Sequence, residues 1–152
     1  MRRLTIFALI ALTSLAVTRT AAAHCQVPCG IFADQRRFEA MLEDFTTIEK
    51  AMTQINELAS KTDALSKNQL VRWINTKETH ASNTQSTIAE YFMAQRIKAG
   101  AEGYVPKLTA AHAVMVSAMK CKQTTDVASA AELKKAIFAF YEAYEGKKPD
   151  FE

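Results

Sequence analysis

The chain has 152 residues, with 19 lysines and arginines against 16 aspartates and glutamates and a formal net charge of +3. Three of the basic residues, Arg2, Arg3 and Arg19, fall before residue 24, where there is no acid, so the remaining 129 residues carry 16 charges of each sign. A neutral body of that size holds one domain with one core, and its charge balance gives no support for nucleic-acid or anionic-membrane partners.

Met1-Arg2-Arg3, an apolar run over residues 4–17, and Ala21-Ala22-Ala23 follow one another as the basic, hydrophobic and small-residue parts of a secretory leader. The run is shorter than the roughly 20 residues that a membrane-spanning helix needs. A processing peptidase cutting after Ala23 is expected to remove residues 1–23. Residues 24–152 then form an exported protein, periplasmic or extracellular, with no membrane attachment.

Residues 24–32 read His24-Cys25-Gln26-Val27-Pro28-Cys29-Gly30-Ile31-Phe32. Cleavage before His24 gives that residue a free α-amine beside its imidazole. A metal held by the amine can displace the proton of the next backbone amide, so Cys25 offers an amide nitrogen and a thiolate. Pro28 folds the chain back to bring in the Cys29 thiolate. Two nitrogens and two thiolates in one plane suit Ni(II) or Cu(II) ahead of Zn(II) or Ca(II), with the imidazole as an axial fifth donor. Two other outcomes stay open on these residues: an exported copper or nickel binder without turnover, and a Cys25–Cys29 disulfide, which an oxidising compartment favours.

Over residues 34–60, Phe38, Met41, Phe45, Ile48, Met52, Ile55 and Ala59 recur at alternating spacings of three and four, the stripe of an amphipathic helix that Asp34 is placed to cap. After Lys61-Thr62-Asp63, the residues Leu70, Val71, Ile74, Ile88, Tyr91, Phe92 and Ile97 predict a second long helix ending near Lys98. Its middle, residues 76–87, is polar, and is expected to face solvent or polar groups of another subunit. Gly100, Gly103 and Pro106 mark a loop. A third helix over residues 107–122 turns Leu108, Ala111, Met115, Ala118 and Met119 inward. Thr124-Thr125-Asp126 closes it and caps a fourth, with Leu133, Ile137, Phe140, Tyr141 and Tyr144, that ends at Gly146.

No alternating strand pattern of useful length occurs, so the fold class is all-α. An up-down-up-down four-helix bundle over about residues 34–146 carries an N-terminal metal-binding hook. The helices hold no Ser-His-Asp set, Gly-rich phosphate loop or HExxH. His80 and His112 lack partners at ligand spacing, and Cys121 is assigned no function.

The nonapeptide resembles the nickel hook of nickel-containing superoxide dismutases, whose mature chains begin His-Cys-X-X-Pro-Cys-Gly-X-(Tyr or Phe). All five fixed positions are present, as His24, Cys25, Pro28, Cys29 and Gly30. The resemblance implies disproportionation of superoxide to O₂ and H₂O₂ by Ni(II)/Ni(III) cycling, one nickel per chain, and a homohexamer of four-helix bundles. His24, Cys25 and Cys29 are then both the metal ligands and the catalytic residues. It also implies that the His24 imidazole binds Ni(III) and leaves Ni(II), held by a glutamate on the first helix in an Arg-X-Glu-Ala setting. Arg37-Phe38-Glu39-Ala40 matches that setting one residue closer to the hook, which makes Glu39 the candidate. Gln26 and Phe32 stand where better-known members carry aspartate and tyrosine near the substrate channel. Phe32 donates no hydroxyl but can still narrow access. The second-helix arginine that supports the glutamate in some members has no clear counterpart, Thr76 and Lys77 lying nearest.

Overall fold

A computed structural model of the chain describes residues 34–151. The leader and the hook residues His24, Cys25, Gln26, Pro28, Cys29, Gly30 and Phe32 lie outside the described residues. Within them the fold is all-helical, with no strand. Helix α1 spans Gln35–Leu58. Helix α2 spans Ala64–Ser86 and continues without a break into a π-helical segment, Thr87–Arg96. Helix α3 spans Tyr104–Gln123 and α4 spans Val127–Glu145. Each packs on its neighbours in the chain, and α1 against α4 closes the ring, the arrangement that short loops between long helices favour.

Local chemistry sets most of the boundaries. The Asp63 carboxylate accepts from the Ser66 amide at 2.9 Å and Asp126 from the Ala128 amide at 3.0 Å, each supplying an acceptor to the first turn of its helix. Gly146 ends α4 in the left-handed region, φ 71°, with its amide donating to Glu142 O at 2.9 Å.

The α1 stripe is buried from Phe38 to Ile55, while Ala59 lies past the helix end and is exposed. Leu133, Ile137, Phe140 and Tyr141 of α4 are buried as their spacing requires. At the end of the bundle where α1 begins, the core is aromatic. Phe38 meets Phe92, Phe140 and Tyr141 at centroid distances of 4.9, 5.2 and 5.0 Å.

Four expectations are corrected. Asp34 stands at the N-cap position of α1 but has helical backbone angles, φ −59° and ψ −22°, and its side chain caps nothing. The second helix starts at Ala64, directly after the Lys61-Thr62-Asp63 break, but its early apolar residues are not core: Val71 is 57% and Ile74 40% exposed. The reason is length. The last turn of α3 lies level with Lys77 of α2, so the first turns of α2 project beyond it. The polar middle of α2 is neither wholly solvated nor in need of another subunit, since Lys77, Ala81 and Thr84 are buried and both polar ones are satisfied within the chain. Finally, α3 takes in Pro106 within its first turn, where no intrahelical amide is required. Its buried stripe is Ala111, Val114, Ala118 and Cys121, which leaves Met119 44% exposed and Leu108 and Met115 half-buried.

Candidate functional site

Only Ala33 separates the end of the hook, Phe32, from Asp34, so the described structure begins at the root of the candidate metal segment. The Asp34 carboxylate, free of capping, is held by three side chains. Tyr91 donates its hydroxyl to Oδ1 in a short hydrogen bond. Tyr144 donates to Oδ2 at 2.6 Å, and Arg96 donates to the same oxygen through Nη2 at 2.7 Å and Nε at 3.1 Å. These donors come from the π segment and the last turn of α4. One carboxylate therefore ties three elements together at the entrance of α1.

The π segment bears directly on this arrangement. Its i→i−5 winding, seen in the Ile97 amide donating to Phe92 O at 2.8 Å, accommodates two consecutive buried aromatics. Tyr91 reaches Asp34, while Phe92 packs against Phe38 and Phe140. The Arg37 guanidinium lies 4.8 Å from the Tyr91 ring centroid, and Lys107 Nζ lies 5.5 Å from that of Tyr144.

Burial by itself would raise the Asp34 carboxyl. The hydrogen bonds from Tyr144, Tyr91 and Arg96, with the Arg96 charge, outweigh it and hold the group below the ordinary carboxylate value. Burial pushes both tyrosines up, and the Asp34 carboxylate they bond to pushes them further. The cluster at neutral pH is thus a carboxylate, a guanidinium and two protonated phenols.

Glu39 lies on the second turn of α1, exposed, between buried Phe38 and exposed Ala40. No ion pair joins it to another described residue. His80 is hydrogen-bonded: its Nδ1 lies 2.6 Å from Asp44 Oδ1, and Thr84 donates to Asp44 Oδ2 at 3.2 Å. Burial raises the Asp44 carboxyl despite these bonds. His112 is exposed. Cys121 is buried, with its Sγ 3.4 Å from Ser129 O, and burial pushes its thiol up. Lys77 does not point toward Glu39. Its ammonium donates to the carbonyls of Cys121 and Lys122 at 2.7 and 2.6 Å.

Among the described residues no group of three His, Cys, Asp or Glu side chains is placed to hold a metal, and no helix is long and apolar enough to cross a membrane. The concentrated donor set of the chain is therefore the hook. Two thiols and an imidazole within six residues of sequence are soft and nitrogenous donors of the kind that nickel takes. The Asp34, Tyr91, Tyr144 and Arg96 cluster was not foreseeable from sequence, because its partners stand 57, 62 and 110 residues from Asp34.

A family model described as nickel-containing superoxide dismutase matches residues 19–148, which takes in the hook and all four helices. No curated protein and no solved structure matches the chain.

Proposed function

We propose, because the chain belongs to the nickel-containing superoxide dismutase family, that its nickel is held by His24, Cys25 and Cys29 of the hook. The family carries the activity: the protein is an oxidoreductase that disproportionates superoxide, with nickel as its cofactor. That membership favours an enzyme over a copper or nickel binder without turnover. When bound, nickel would supply the one-electron Ni(II)/Ni(III) couple by which two superoxide ions and two protons become O₂ and H₂O₂.

The roles of the individual residues follow from donor chemistry. The thiolates of Cys25 and Cys29 and the deprotonated Cys25 amide are strong anionic donors, needed because nickel bound by neutral oxygen or nitrogen ligands alone resists oxidation. The His24 α-amine completes the set, and its imidazole favours the oxidised ion. Pro28, between the two cysteines, and Gly30, after the second, are the turn-forming residues of the segment's sequence. Gln26 and Phe32 occupy the family's substrate-access positions, where Phe32 offers bulk and no hydroxyl. Glu39, exposed on α1 with Phe38 anchored beneath it, is the acceptor for the His24 imidazole.

The chain is exported after a peptidase cuts behind Ala23, residues 24–152 form the working domain, and homohexamers assemble from it. The single observation that carries this proposal is the run His24-Cys25-Gln26-Val27-Pro28-Cys29-Gly30 directly after Ala21-Ala22-Ala23. Intact-mass and N-terminal analysis of the exported protein, paired with its nickel content, tests it. The expected result is a chain starting at His24 with one nickel. A mature chain starting elsewhere lacks the α-amine donor and overturns the ligand assignment.

A further inference from the structure

We infer that Asp34 is a positioning residue for the nickel hook: clamped by Tyr91, Tyr144 and Arg96, it fixes the backbone at the hook's root and so sets where His24 stands relative to Glu39. This rests on the hook being the nickel site. Glu39 is five residues beyond Asp34 on a helix whose start is pinned by Phe38, wholly buried among Phe92, Phe140 and Tyr141. The hook joins that helix through Ala33 alone. Along the chain the hook reaches Glu39 through this joint, and Asp34 is the described residue there with side-chain bonds to the rest of the bundle.

The other two aspartates that precede helices in this chain, Asp63 and Asp126, spend their carboxylates on their own first turns. Asp34 does not. An aspartate that caps stabilises its own helix wherever that helix lies, whereas one bonded to the π segment and α4 fixes the helix start in the frame of the whole bundle. Four hydrogen bonds to one carboxylate, two from the Arg96 guanidinium and two from phenol hydroxyls, form a rigid attachment. The Arg37 guanidinium against the Tyr91 ring adds a further contact from α1 to the same place. The cluster does not act as the proton source for the reaction, since its phenols hold their protons and its carboxyl is already ionised.

The test uses the exported, processed protein loaded with Ni²⁺, as wild type, Asp34→Asn, Tyr144→Phe and a remote core variant, Ile48→Val. Nickel content, melting temperature, superoxide decay and the electron paramagnetic resonance spectrum of the oxidised protein are measured on each. All donors to nickel lie in residues 24–29, so nickel content should stay at one per chain throughout. In Asp34→Asn and Tyr144→Phe the nitrogen hyperfine splitting from the His24 imidazole should broaden or vanish, and turnover should fall about 10-fold, the scale seen when an outer partner of a metal ligand is lost. Ile48→Val should lower the melting temperature yet keep the wild-type spectrum. Should Asp34→Asn fail to fold, Tyr144→Phe carries the comparison. Wild-type spectra in both clamp variants, at lowered melting temperature, would mean that the cluster is merely structural and overturn the inference. Loss of nickel from both would overturn it too, by making the clamp part of capture rather than positioning. A wild-type protein without nickel or its signal sinks the hook assignment itself, and the inference with it.

Discussion

Replacing Lys77 by methionine isolates a buried charge that holds two helices together. Lys77 is 4% exposed, and its ammonium donates to the carbonyls of Cys121 and Lys122 at 2.7 and 2.6 Å and pairs with Glu78 Oε1 at 3.0 Å. Those carbonyls belong to the last turn of α3 and have no intrahelical donors. A cation there is favoured by about 0.3–2 kcal/mol through the helix dipole, and a hydrogen bond to a charged group is worth about 1.5–3 kcal/mol. Methionine keeps the aliphatic stem, so the loss is polar rather than a cavity. The cleft of about 470 Å³ lined by Lys77, Lys122, Thr124 and Thr125 lets water reach the freed carbonyls and recovers part of that loss. The net destabilisation should be about 2–3 kcal/mol, or a fall in melting temperature on the order of 10 °C for a domain of this size. Urea and thermal unfolding followed by helical ellipticity measure it, at unchanged urea dependence. Stability within about 0.5 kcal/mol of wild type would refute the reasoning, because it would mean that water serves the end of α3 as well as the amine does. Glu78→Gln, at the exposed side of the pair, should cost less than about 1 kcal/mol.

Cys25→Ser or Cys29→Ser exchanges a thiolate for a poor donor, and should abolish both the Ni(III) paramagnetic signal and dismutation; near-normal turnover in Cys29→Ser refutes its role. His24→Ala keeps the α-amine and should still bind Ni(II) while losing most activity, whereas Glu39→Gln should lose less, by loosening the imidazole without deleting it. Nickel stoichiometry with superoxide decay by pulse radiolysis checks both, and nickel loss in His24→Ala as complete as in the cysteine variants would break the division between affinity and redox tuning. Asp34 governs an acid limb of stability. Its folded carboxyl lies below the ordinary 3.8, so its contribution is present above that value and is lost as pH falls through the lower folded value. Melting temperatures against pH should therefore fall more steeply below about pH 4 in wild type than in Asp34→Asn, and parallel curves would contradict this.

The family was legible because the motif's residues are neighbours in the chain, His24-Cys25 and Pro28-Cys29-Gly30 within seven positions, while the ligand roles of His24, Cys25 and Cys29 are a proposal. The helices were legible for a related reason. Burial of one face imposes spacings of three and four, and the stripes of α1 and α4 keep that rhythm in apolar residues from Phe38 to Ile55 and from Leu133 to Tyr141. In α2 the same spacing runs through Lys77, Ala81, Thr84 and Ile88, but two of these are polar, so apolar periodicity passes over them. Their burial depends on what faces them, an open helix end for Lys77 and the Asp44 carboxylate for Thr84 and His80. Asp34 shows the limit most clearly. Its position before a helix obeys the local rule for a cap, and only the bundle, by bringing Tyr91, Arg96 and Tyr144 to the same corner, offers its carboxylate stronger donors than the backbone amides of its own helix.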